Sequence, residues 1–183
     1  MNHPAQPSHF DVIVIGAGAA GMMCAAEAGQ RGRRVLIIDH AEKLAEKIRI
    51  SGGGRCNFTN LEVGIANYLS RNPQFCRSAL SRFTPAHFIE RVNRHGIRWH
   101  EREHGQLFCD DSAQDIIDML RTGCDNGQVS WAMPCQLETI GTGTGADAPV
   151  ILDVRIPDAP CTRGSSTTAA ISSPRSSSRR SIA

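Results

Sequence analysis

Apolar residues in this chain fall into short blocks separated by polar segments, and the blocks follow two different periods. Val12–Ile15 and Val35–Ile38 are uninterrupted apolar runs of strand length, largely β-branched. Such runs are expected of parallel strands buried on both faces. Between them MMCAAEAGQR is predicted to be a helix, with Gly32 as its stop. Further on, residues 85–95 set Phe88, Ile89 and Val92 at helical spacing and end at Gly96. Residues 97–100 read as a short strand. Residues 112–121 read as a second amphipathic helix with Ser112 as N-cap and Asp115 in its first turn. Residues 129–131 are the next predicted strand, and residues 137–140 and 150–156 form a hairpin across GTGTGADAP. That linker is read as a polar turn, not a second phosphate cradle, because no helix follows it. Strand, helix and strand in this order predict an α/β protein with a Rossmann-like, mainly parallel sheet.

The first junction carries chemistry. The run FDVIVI breaks into GAGAAG, a G-x-G-x-x-G pattern over Gly16–Gly21. Gly16 permits the tight turn out of the strand, Gly18 clears space where a pyrophosphate approaches the backbone, and Gly21 lets the helix lie close to the sheet. Ala17, Ala19 and Ala20 keep the surroundings small, and the helix start offers unpaired N–H groups and a partial positive charge. Asp39 ends the second apolar run, 23 residues after Gly16, near where an acid accepts hydrogen bonds from an adenosine ribose. The combination predicts a dinucleotide cofactor.

A second glycine-rich segment follows, SGGGRCNFTN at residues 51–60. Gly52, Gly53 and Gly54 open backbone angles closed to other residues and bring N–H groups against a flat or anionic ligand. Arg55 supplies a planar fork suited to phosphate, and Asn57, Thr59 and Asn60 add groups that fix the loop or meet a cofactor. Cys56 beside Arg55 reads either as an activated thiol or, with more weight, as a small residue tucked beneath the loop.

On GAGAAG, Asp39, Lys47 four residues before the loop, and SGGGRCNFTN, the chain resembles the N-terminal part of the YhiN/BaiN-like flavoprotein family of FAD-dependent oxidoreductases. The similarity runs more loosely through Tyr68 and Phe83 to HGIRWHEREHGQLFCDDSAQDIIDML, with Cys109 where the family usually has proline. The resemblance implies an extended FAD. Its pyrophosphate would lie at Gly16, Gly18, Ala19, Ala20 and Gly21 and its ribose at Asp39, with Lys47, Ser51, Gly53, Gly54, Arg55, Cys56 and Asn57 as further cofactor residues. It implies hydride transfer from NAD(P)H through the flavin to an activated C=C bond, the flavin carrying the chemistry. Family substrates as unlike as a steroid enone and a uracil in ribosomal RNA leave the substrate and the catalytic residues open. Nucleic acid enters only through this family analogy. NAD in place of FAD would fit the first turn and leave SGGGRCN unexplained.

Composition bounds this reading. At 183 residues, the chain is about half the length a two-domain flavoenzyme needs. Seven cysteines in no regular spacing, without a signal segment, predict reduced thiols and a cytoplasmic protein rather than a disulfide frame or a zinc site. The histidines form no H-E-x-x-H or comparable ligand set, and no apolar run approaches a membrane span of ~20 residues. Residues 1–9 are expected to be a disordered lead, 10–160 a partial FAD/NAD(P)-binding domain, and 161–183 a disordered tail. From Thr162 the chain has four arginines, eight serines and no acid, which leaves the remainder at net −2. Few large apolar groups are there to offset the entropy of ordering it. A tail of this kind also reads as an out-of-frame end, so the expectation is a truncated or frameshifted family member. The alternative is a non-catalytic remnant or an adenine-nucleotide-binding fragment.

Overall fold

The computed structural model describes residues 8–142, 150–155 and 166–171. In chain order the strands are β1 (Ser8–Phe10), β2 (Val12–Ile15), β3 (Val35–Ile38), β4 (Asn57–Asn60), β5 (Trp99–Glu101), β6 (Gln106–Cys109), β7 (Ser130–Ala132), β8 (Gln136–Thr142), β9 (Val150–Arg155) and β10 (Ser166–Ile171). The helices are α1 (Ala19–Gln30), α2 (Glu46–Ile50), α3 (Arg77–Arg82), α4 (Pro85–Arg94) and α5 (Ala113–Asn126). The chain forms two compact units, residues 1–44 with 123–183 and residues 45–122.

The first unit holds a three-stranded parallel sheet of order β2-β3-β7. β3 is its central strand and all four residues are buried, whereas β2 lies on the edge and leaves Ile15 56% exposed. The expectation of burial on both faces therefore holds for β3 and fails for β2, which has a neighbour on one side only. α1 returns between β2 and β3 and buries Met22, Ala25 and Ala26. Close packing of its far end depends on missing side chains: a Cβ on Gly29 would strike the backbone of Gly127. A four-stranded sheet of order β1-β10-β9-β8 completes the unit, with the β8–β9 and β9–β10 pairs antiparallel. Leu36, Ile38, Cys135 and Leu152 form a buried cluster beneath Phe10, Ile13, Leu137 and Val150.

The expected hairpin of residues 137–140 and 150–156 is present as β8 and β9, whose linking residues 143–149 lie outside the described residues. Short stretches of the expected lead and tail are paired as strands. Ser8 and His9, assigned to the lead, pair in parallel with Ala169 and Ala170 in β10. Residues 166–171, assigned to the tail, pair along their full length with β9. A ladder on both sides satisfies the backbone groups of this small-residue strand without needing large side chains. The rest of the lead and tail lies outside the described residues.

The second unit is built on an antiparallel sheet of order β4-β6-β5. Leu107, Phe108, Val92, Ile116, Ile117 and Leu120 are buried in it. Phe58 meets Phe88 at 6.0 Å and the edge of Trp99 at 6.4 Å. Thr84 caps α4 reciprocally: its hydroxyl accepts from the His87 N–H, and its own N–H donates to His87 Nδ1 at 3.1 Å. Ser112 caps α5 as predicted, its Oγ accepting from the Gln114 N–H at 3.0 Å. That helix runs to Asn126, beyond the predicted end at Arg121, and its last turn from Gly123 belongs to the first unit. No helix among the described residues is long and apolar enough to cross a membrane.

Candidate functional site

The structure turns the GAGAAG sequence into a tight loop whose shape is set by two glycines. Gly16 sits at φ +106°, in the region that penalises a side chain, and its N–H donates to the Ile38 carbonyl at 2.8 Å. Gly21 faces the Gly16 carbonyl so closely that a Cβ would overlap it and would sit 3.2 Å from Val14 Cγ1. Gly18 differs from both. Its φ of −87° suits any residue, and a Cβ there would meet nothing within 4 Å.

That open space lies over the start of α1. The first in-helix hydrogen bond runs from the Met22 N–H to the Gly18 carbonyl at 2.9 Å. The N–H groups of Ala19, Ala20 and Gly21 therefore precede the helical ladder. No side chain caps this end and no acid occupies its first turn. Ala19 and Ala20 are exposed. The arrangement is a set of unopposed donors at the positive end of a 12-residue helix, in a space without side chains, and it fits an anionic pyrophosphate.

Asp39 has two tasks. Its Oδ2 accepts from the Ala17 N–H at 2.6 Å, clamping the turn, and its Oδ1 accepts from the Ala41 N–H at 2.8 Å. Burial acts to raise the carboxyl pKa. The Ala41 and Ala17 N–H donors, with the positive charge of His40, outweigh it and hold the group below its ordinary 3.8. The His40 Nδ1 lies 3.3 Å from Oδ1, and the carboxylate keeps acceptor capacity for a hydroxyl donor. Beside Asp39 a cavity of about 320 Å³ opens between the ends of β2 and β3, lined also by Ile15, Gly16, His40, Cys135, Gln136 and Leu137. Its walls are mainly apolar, as a flat heteroaromatic base requires.

Residues 135–137 and His40 were not among the sequence-predicted site residues. They arrive through the backbone: Cys135 N–H donates to the Asp39 carbonyl at 2.8 Å, and Asp39 N–H to Ala132 at 3.3 Å. Such bonds need no particular side chain, so only the Asp39–His40 adjacency gave a sequence signal.

The second predicted cluster lies in the other unit. Residues 51–56 form a loop with four residues in the left-handed region, at φ of +57° for Gly52, +66° for Gly53, +86° for Gly54 and +51° for Cys56. Gly52 rests against the Phe108 ring, where a Cβ would lie 2.6 Å from Cε1. Gly53, Arg55 and Lys47 are exposed, and no partner constrains the Arg55 guanidinium among the described residues. The remaining polar side chains turn inward. Ser51 Oγ donates to the Ile48 carbonyl at 2.9 Å. Asn57, with its amide nitrogen toward the sheet, donates to Thr59 at 3.0 Å and Leu107 at 3.3 Å. Asn60 donates to the His104 carbonyl at 2.6 Å and accepts from the Glu62 N–H at 2.9 Å. Of the two readings of Cys56, the structure takes the tucked residue: it is 4% exposed, and burial pushes its thiol up despite the Ser51 hydrogen bond. Cys109, on the neighbouring strand, is pushed up to about 12, chiefly by burial.

Comparison with known proteins agrees with this picture. The family described as HI0933-like protein Rossmann domain matches residues 10–161. A ribosomal RNA dihydrouridine synthase of Escherichia coli (strain K12) is 60% identical over 131 residues, covering 72% of this chain and 33% of that protein. A 3-dehydro-bile acid delta(4,6)-reductase of Clostridium scindens (strain ATCC 35704) is 29% identical over 110 residues, covering 58% of this chain and 27% of that protein. The chain thus spans about a third or less of the length of these relatives. Among solved structures, the 3-ketosteroid-delta4-(5alpha)-dehydrogenase of Rhodococcus jostii RHA1 superposes with a TM-score of 0.60 at 12% identity, over 89% of this chain and 44% of that one. At that identity the likeness establishes the fold alone.

Proposed function

Because the chain belongs to the HI0933-like Rossmann domain family, we propose that it binds FAD and serves hydride transfer from NAD(P)H to an activated C=C bond. The observation that carries this reading is the unopposed N-terminus of α1, open above Gly18 and adjoining the Asp39 cavity. The Ala19, Ala20 and Gly21 N–H groups would bind the pyrophosphate, and the remaining acceptor capacity of Asp39 would orient the ribose. The apolar cavity walls would keep water from the adenine. When bound, the flavin supplies the hydride chemistry. In the other unit, Lys47, Gly53, Gly54 and Arg55 are the exposed or ligand-facing candidates. Ser51, Cys56 and Asn57 would act by holding their loop.

A uracil base in ribosomal RNA is the substrate this reading favours. The 60% identity to a ribosomal RNA dihydrouridine synthase supports it over a bile-acid enone, whose reductase is only 29% identical. The compartment that goes with this substrate is the cytoplasm. The test is direct. The purified chain should take up FAD, turn yellow, and lose its flavin absorbance on anaerobic addition of NADPH or NADH. Reoxidation by a uridine-containing ribosomal RNA fragment should then yield dihydrouridine. A colourless protein that does not perturb FAD fluorescence would sink the reading.

The Asp39 cavity and the open start of α1, which alone suffice for a base, a ribose and a phosphate, favour a second reading, an adenine-nucleotide binder without flavin chemistry. Displacement of bound FAD by ADP at similar affinity, with no bleaching by NAD(P)H, is its signature.

A further inference from the structure

Residues 63–89 of the second unit contain no acid and three arginines, Arg71, Arg77 and Arg82. All three are exposed, and none has an ion-pair partner among the described residues; Arg77 bonds only the neutral Gln74 side chain, at 3.1 Å. In contrast, Arg94 and Arg98, just beyond, are paired with Glu90 and Asp111. Unpaired arginines gathered in an acid-free segment present charge that the protein itself does not answer.

The same segment exposes aromatic rings. Phe75 is 84% exposed, and Phe83, at 44%, stacks on His87 with ring centroids 6.0 Å apart and planes 27° from parallel. This pair is held in place. The Thr84 cap fixes His87, and Phe88 meets the Phe83 ring edge-on at 6.3 Å. Exposed aromatics in the same segment as arginines without ion-pair partners match what unpaired nucleotides require: a π-face for the base and a cation for the phosphate. An apolar protein surface docked here would use the rings but would leave three cations to be desolvated without an answering charge.

We propose that residues 63–89 form a single-stranded RNA-binding surface, with Arg71, Arg77 and Arg82 on the phosphates and Phe75 and the Phe83–His87 pair stacking on bases. The inference rests on the reading of ribosomal RNA as substrate and assigns its recognition to a named segment.

The experiment measures binding of the full chain to a fluorescein-labelled single-stranded RNA of about 12 nucleotides by anisotropy, across a salt series. Combining Arg71→Ala, Arg77→Ala and Arg82→Ala should reduce the slope of log K against log salt by about 2. Phe75→Ala should weaken binding about tenfold and leave that slope unchanged. Phe83→Ala should do the same, with circular dichroism checking that α4 survives. The four arginines of residues 162–183 give the same background in every variant, so the differences report on this segment. An unchanged slope in the triple variant overturns the proposal. So does absence of RNA binding, or self-association that Phe75→Ala abolishes while RNA affinity stays constant. FAD uptake is read in the same samples. RNA binding without flavin would leave the surface standing and remove the proposed chemistry, whereas a yellow protein indifferent to RNA would do the reverse.

Discussion

The two glycine-rich segments of this chain are alike in composition and opposite in how they use their polar groups. In residues 16–21 no polar side chain is present, and the first N–H groups of α1 stay open while Asp39, just past the end of β3, clamps the turn from outside. In residues 51–60 the loop carries its own clamps: Ser51, Asn57 and Asn60 all bond to nearby backbone. The first segment is built to leave donors unsatisfied and the second to satisfy them. A glycine run by itself sets backbone shape, and the fate of its neighbouring polar groups determines whether a ligand is invited.

The largest way to break the contrast is Gly21→Val. Its Cβ would overlap the Gly16 carbonyl, a backbone atom that cannot swing away, so α1 must separate from β2. Loss of about 3 kcal/mol or more is expected in chemical unfolding, with FAD uptake lost alongside it. Stability equal to that of the parent would show that the turn is far softer than its geometry indicates.

Asp39→Ala comes next. It removes the acceptor of two backbone N–H groups and should cost about 2 kcal/mol. The cost is pH-dependent, with a defined sign. The folded-state pKa lies below the ordinary 3.8, so the carboxylate's contribution is full above that value and is lost as pH falls through the folded pKa. The stability gap between parent and Asp39→Ala should therefore be constant from pH 7 to about 5 and narrow below about 4. A gap that widens on acidification would contradict the assignment.

Asn60→Ala sharpens the comparison from the other side. It removes the bonds to His104 and Glu62 at a partly exposed site, so about 1 kcal/mol is expected in thermal unfolding. Because those bonds tie the end of the loop to the backbone of His104 and Glu62, FAD affinity should fall little unless the loop itself loosens. A loss of affinity matching that of a glycine-turn variant would mean that Asn60 meets the cofactor directly.

How far the sequence reached depended on whether a feature was written in side chains. β2, β3, α1, α4 and the β8–β9 hairpin were legible because apolar spacing and glycine stops encode them. The place of Asp39 at the end of the second apolar run was legible, but its clamp on Ala17 was not, since the partner is a backbone N–H. Residues 135–137 were missed for the same reason, and β10 because a strand of serine, threonine and alanine is stabilised by its two neighbours rather than by its own apolar pattern. The edge position of β2 depended on pairing order, which periodicity does not carry.

The smallest stability effect gives the sharpest separation of shape from binding. Gly18 has backbone angles open to alanine, and a Cβ there touches nothing within 4 Å, so Gly18→Ala should change stability by less than about 0.5 kcal/mol. If the emptiness above α1 exists to admit a pyrophosphate, the added methyl occupies the ligand's space, and FAD affinity should drop about tenfold or more. Paired measurements of denaturant midpoint and FAD titration on one variant decide this. A methyl that leaves both unchanged would mean that the open helix end is not where the phosphates lie, and the contrast between an open turn and a closed loop would lose its functional meaning.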